Sequence, residues 1–196
     1  MPLLDSWLPH YEFSEHHERR VRAPAEAVQR ALHEVDVARI PLVRALMTLR
    51  ALPGLALAPR ATLAKLRSRA RGERRMGLMA LEGFVLLEDT PREIVLGLTG
   101  RFWKASGEIV PSDAATFRDA PPPGAARVAM NFLLTPEADG ATRVATETRI
   151  HVPDAAARRK FTWYWRAIRL GSGAIRLAML AALQRAAERD ARAQRG

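Results

Sequence analysis

The densest run of titratable side chains in this 196-residue chain is Glu15-His16-His17-Glu18, four consecutive groups able to move protons or ligate a metal. An imidazole changes charge near neutral pH, and a carboxylate beside it can orient it, so the run has general acid–base potential. The segment around it limits that potential. Residues Glu12 to Ala23 read as a polar strand, with Phe13, Glu15, His17, Arg19 and Val21 on one face, because successive strand side chains point to opposite sides. Only Glu15 with His17, or His16 with Glu18, can then converge, and two ligands are too few for a protein metal site. The expectation is therefore no metal and no other cofactor. His17 with Glu15 is the candidate acid–base pair, and a cross-strand ion-pair ladder is its plain alternative.

Other chemistries find less support. Cysteine is absent, which removes disulfides, thiolate nucleophiles and zinc–thiolate centres together and suits a reducing compartment. Ser172 stands between Gly171 and Gly173 without the strand-to-helix G-x-S-x-G setting of a nucleophile elbow, so it reads as a hinge or cap. Neither G-x-x-x-x-G-K-[ST] nor G-x-G-x-x-G occurs, so no phosphate-cradling loop is expected. Arg101 sits among apolar neighbours in a strand; turned inward it would need a carboxylate or an acidic ligand as partner, and at a rim it would not. The aromatic groups Trp103, Phe161, Tyr164 and Trp165 recur at spacings that serve either a core or a ligand-stacking wall.

The composition bounds the class. With 48% apolar residues over this length, one domain with a sizeable core is expected. The formal charge is +10, but of 31 basic residues only Lys65, Lys104 and Lys160 are lysine. Arginine spread over the whole chain reads as a compositional habit as much as a binding face. The one true cluster, Lys65, Arg67, Arg69, Arg71, Arg74 and Arg75, lacks the interleaved aromatics of single-strand binders. No specific nucleic-acid partner is expected; an anionic surface, either nucleic acid bound without sequence preference or lipid headgroups, docking on that cluster is the remaining reading of the charge. The start, Met1 to Phe13, lacks a basic and then apolar leader, and Ile40 to Leu57 is interrupted by Arg44, Arg50, Pro53 and Gly54. Neither a secretory signal nor a membrane span is read there, and the expected setting is the cytoplasm.

The elements that must position these residues follow from periodicity. Ala27, Val28, Ala31, Leu32 and Val35 predict a short helix after Pro24, and Leu42, Ala45, Leu46 and Leu49 a second one opening near Pro41. Met79 to Glu88 and Glu93 to Trp103 predict a hairpin through Asp89-Thr90-Pro91-Arg92. Weaker strands are expected at Gly107 to Pro111 and around Ala115 to Arg118, before the stiff Pro121-Pro122-Pro123-Gly124 loop. Arg127 to Leu134 and Thr142 to Val152 form a second hairpin across Asp139-Gly140. From Asp154 onward, Phe161, Tyr164 or Trp165, Ile168, Ile175, Met179, Leu183 and Ala186 mark one apolar helical stripe. Gly171 and Gly173, at about 1 kcal/mol each against alanine, predict a kink or break in it, and the polar tail beyond Glu188 is expected to fray, so that one domain spans 1–196 with 190–196 as its frayed end.

This order is similar to that of the START-like helix-grip superfamily, the SRPBCC group that includes plant pathogenesis-related allergens and bacterial polyketide cyclase/dehydrase-type proteins. The likeness is carried by Glu12 to Pro24 leading into Ala27-Val28, by Glu93 to Leu98 with Gly100-Arg101-Phe102-Trp103, by Thr146 to Ile150, and by Phe161 with Tyr164-Trp165 before Gly171-Ser172-Gly173. The resemblance covers nearly the whole chain and implies an α+β fold: a curved antiparallel sheet of about six to seven strands around a long C-terminal helix, with two short helices after the first strand. It also implies a hydrophobic ligand held between sheet and helix. If the last strand pairs with the first, as that fold implies, Arg149 and His151 come near but on the opposite face.

The leading expectation is a binder of a hydrophobic or amphipathic small molecule, lipid- or polyketide-like. Arg19, Arg101, Trp103, Phe161, Tyr164, Trp165, Ile168, Ile175 and Met179 are the candidate contacts. The enzymatic alternative is a cyclase or dehydratase using His17 and Glu15.

Overall fold

The computed structural model describes residues 1–37, 40–43, 45, 83–104 and 107–194. The elements are α1 (Leu3–Trp7), β1 (Phe13–Val21), α2 (Ala25–Glu34), β2 (Val85–Asp89), β3 (Glu93–Arg101), β4 (Glu108–Val110), β5 (Ala126–Pro136), β6 (Thr142–His151) and α3 (Ala155–Ala193). The fold is an α+β helix grip, a six-stranded antiparallel sheet with one long C-terminal helix across it. The strands run β1-β6-β5-β3-β2, with β4 also paired to β3. The predicted hairpins lie where their turn residues put them, and Gly140 takes φ 81° in the Asp139-Gly140 turn, a conformation glycine adopts without steric cost.

Alternation decides which residues point toward α3. In β1 the Phe13, Glu15, His17, Arg19 and Val21 set is turned inward while the even positions are exposed. Register then places Thr148 opposite Glu15, Thr146 opposite His17 and Val144 opposite Arg19, all on the concave face. Ile94, Leu96, Met130, Phe132 and Val144 meet the α2 stripe and Leu180, Leu183, Ala187 and Ala191 of α3 in one aliphatic core. A second, aromatic cluster gathers Phe161 and Trp165 with Val128, Ile150 and Val152 at the other end of the helix.

Several expectations need correction. The helix α3 is unbroken for 39 residues, straight through Gly171-Ser172-Gly173, and it continues to Ala193 with Ala191 buried, past the expected fraying point. Packing at both ends outweighs the propensity cost of the glycines. It starts where Asp154 accepts a hydrogen bond from the Ala157 amide at 2.6 Å. Residues 115–118 form a turn, not a strand: Asp113 Oδ1 accepts from the Thr116 amide and hydroxyl, which holds the Asp113 carboxyl below its ordinary value. The second predicted helix is seen as helical at 41–43, and its remainder lies outside the described residues, as do 79–82 of the predicted strand.

The helix α1 has no counterpart in the sequence reading. It covers the convex face of the sheet, where Leu4, Trp7 and Leu8 pack on Leu87, Val95, Phe117 and Ala129. Five residues cannot be recognised by helical period, and the only trace in the sequence is the strand β3, buried on both faces.

Candidate functional site

Glu15 and His17 face α3 at the level of Gly173. A Cβ on Gly173 would stand 2.8 Å from Glu15 Oε1 and 3.4 Å from His17 Nε2, so only a residue without a side chain lets the strand's polar pair approach the helix this closely. The glycine that predicted a break instead marks a contact. His17 Nε2 lies 3.3 Å from Glu15 Oε1, with the Glu15 side chain only 9% exposed. Glu15 Oε2 and His17 Nε2 are nevertheless both buried with no hydrogen-bond partner among the described residues. Buried polar atoms are nearly always paired, so two neighbouring ones without a hydrogen bond among the described residues have room to accept a further partner.

Arg176 completes the group. It follows Gly173 by three residues, so both lie on the inward side of α3. Burial pushes its guanidinium pKa down to about 10, and the Glu15 carboxylate opposes that fall. The residue is half-buried by its exposed surface, and at neutral pH it remains a cation within electrostatic reach of the Glu15 carboxylate. The interior therefore has three zones along α3: an aromatic end, a polar waist of Glu15, His17 and Arg176, and an aliphatic end.

The aromatic end is built around Phe161, which is fully buried. Phe13 meets it edge-on at 4.9 Å between ring centres, Trp103 at 5.5 Å and Phe102 at 5.9 Å, with Tyr164 and Trp165 completing the ring. Ile168 packs against the same cluster. The aliphatic end is closed. The space lined by Leu32, Val35, Val37, Phe132, Met179 and Leu183 amounts to about 10 Å³, room for about one water. Met179 is thus core there, and Ile175 packs against the same cluster.

Two candidate contacts are engaged elsewhere. Arg19 donates from Nη1 to Gln184 Oε1 at 2.8 Å, tying β1 to α3. Arg101 is paired with Glu108 and donates to the Pro123 carbonyl, at the end of β3. Arg149 and His151 are on the convex face, as parity requires: Arg149 bonds Asp5 at 2.7 Å and Glu147 at 2.8 Å. The cluster Lys65 to Arg75 lies outside the described residues. Among the described residues no three His, Asp or Glu side chains come together in a way that could hold a metal. No described helix is long and apolar enough to cross a membrane.

Arg176 is the residue the sequence reading missed. The signal was present: Gly173, Arg176, Leu180, Leu183 and Ala187 recur at steps of three and four, which places an arginine on a stripe otherwise reserved for the core.

No family model matches the chain, and no curated protein matches it at a significant level. Among solved structures it is similar to TTHA0849 from Thermus thermophilus, with a TM-score of 0.33 and 12% identity over 89% of this chain and 97% of that one. It is also similar to Ara h 8.0201, with a TM-score of 0.28 and 12% identity over 87% of this chain and 97% of that one.

Proposed function

We propose that the chain is a START-like ligand-binding protein of the cytoplasm that takes an amphipathic small molecule between sheet and helix. The apolar part would lie against the aromatic end and the polar head against Glu15, His17 and Arg176. The observation that supports this reading is the pair of buried atoms Glu15 Oε2 and His17 Nε2 beneath Gly173, neither of them hydrogen-bonded among the described residues. The chemistry of the head follows from the charges. Glu15 and Arg176 balance each other, so a charged head would leave one of them uncompensated in a desolvated place. A neutral head that both accepts and donates, such as a hydroxy-carbonyl or a phenol, satisfies all three groups; a lipid- or polyketide-like molecule of this kind fits. Apolar burial at about 25 cal/mol per Å² supplies the affinity, and the polar waist fixes orientation.

Native mass spectrometry of the protein as purified from cells tests the reading. A bound organic molecule is expected, retained by the wild type and lost from Glu15→Gln and Arg176→Met variants. An empty wild-type protein that also fails to bind long-chain alcohols in titration sinks it.

The cyclase or dehydratase alternative draws on the 3.3 Å approach of His17 Nε2 to Glu15. There His17 would take a proton from the carbon next to a ligand carbonyl, leaving the electron pair as an enolate. His17→Ala that keeps affinity but ends product formation supports that reading, and unchanged product formation removes it.

A further inference from the structure

The outer side of α3 carries a pattern that ligand binding inside the fold does not need. Trp163, Leu170 and Leu177 are spaced by seven residues, two helical turns, and so fall on one stripe roughly 21 Å long. All three are exposed, Trp163 by 71% and Leu170 by 88%. Large apolar groups aligned on the solvent side of a helix mark an interaction surface, whereas scattered ones do not. Beside the stripe stand Arg159, Lys160, Arg166, Arg169 and Arg185, all exposed, with the Arg166 guanidinium 5.2 Å above the Trp163 ring. From Ala155 to Ala187 the helix contains no acidic residue.

We propose that this face docks on an anionic lipid bilayer, with Trp163, Leu170 and Leu177 entering the headgroup boundary and the flanking basic side chains reaching lipid phosphates. Trp and Leu on a stripe whose charged neighbours are all Lys and Arg is the composition of interfacial helices, and the net charge of +10 adds attraction to the same surface. A second copy of the chain is a poorer occupant. Two such helices paired antiparallel about Ser172 would set Arg159 of each against Arg185 of the other, opposing like charges at both ends.

The test is co-sedimentation of the full chain with vesicles of phosphatidylcholine alone and of phosphatidylcholine with phosphatidylglycerol. Binding to the anionic vesicles only is expected, weakening with salt, with affinity reduced roughly tenfold or more by Leu170→Glu and by Arg166→Glu/Arg169→Glu. A blue shift of tryptophan emission on binding should disappear in Trp163→Phe. Leu170 and both arginines are exposed, and unchanged far-ultraviolet circular dichroism checks that their variants fold. Anionic binding indifferent to these substitutions overturns the proposal and moves the surface elsewhere. Absence of binding overturns it too, as does a dimer in light scattering that Leu170→Glu dissociates.

Discussion

Two buried carboxylates on opposite faces of one sheet have opposite fates. On the convex side Glu93, 3% exposed, accepts from the Leu3 amide at 2.7 Å, the Leu4 amide at 3.2 Å and the Asn131 side chain at 2.7 Å. On the concave side Glu15 has one oxygen near His17 and one with no donor at all among the described residues. The first carboxylate is consumed in holding α1 onto the sheet, and its charge is spread over three donors. The second is kept in place by a glycine and a distant arginine, with bonding capacity unspent. Burial alone does not make a candidate site; what sets Glu15 apart from Glu93 is an oxygen without a hydrogen bond on the face turned toward α3.

Substitutions should separate the two faces. Glu93→Ala leaves two amides and an Asn131 donor unpaired, and urea unfolding should show a loss of about 3 to 4 kcal/mol. A loss under about 1 kcal/mol would mean that α1 does not depend on this anchor. Replacing both Glu15 and Arg176 by methionine should do the reverse and raise stability by about 1 to 3 kcal/mol, because a desolvated charge pair gives way to apolar packing. Destabilisation of the double variant would show the pair to be a structural ion bridge after all.

The pH dependence of that second effect has a definite sign. Burial pushes the Arg176 guanidinium down to about 10 in the folded protein, below its ordinary value, so the folded state releases this proton first. The cost of burying the charge is present at every pH below about 10 and relaxes as pH rises from there toward the ordinary arginine value. The advantage of the double variant should narrow over that window and hold constant at neutral pH. Gly173→Val should cost about 2 kcal/mol, since its methyl groups meet the Glu15 carboxylate, and should force the pair from its place. Smallest is Asp154→Ala, which removes the cap of α3 and should cost about 1 kcal/mol by thermal unfolding, without touching ligand affinity.

The sequence revealed the concave face more fully than the convex one, and the reason is periodicity. Strict alternation in β1 placed Glu15 and His17 together, and the turn dipeptide Asp139-Gly140 set the hairpin that brings Thr146 and Thr148 opposite them. The stripe of α3 was legible as well, but glycine was read by propensity alone. A mid-helix glycine signals either a break or a close approach, and only the partner strand tells which. Arg176 was hidden by the abundance of arginine elsewhere, which made one more seem a surface residue. The N-terminal cover was illegible because α1 is shorter than two helical turns and its anchor, Glu93, comes ninety residues after Leu3.

Among the described strands β1 has a neighbour on one side only, β6. The site's acid and imidazole thus ride on an edge strand, laddered to β6 alone and otherwise held to α3 by the Arg19–Gln184 bond and the Phe13–Phe161 contact, while β3, β5 and β6 are stitched together. A guest too large for the gap under Gly173 would find its least costly admission there, at a hem of the fabric, with Ser14, His16, Glu18 and Arg20 keeping that hem wetted and unattractive to other strands.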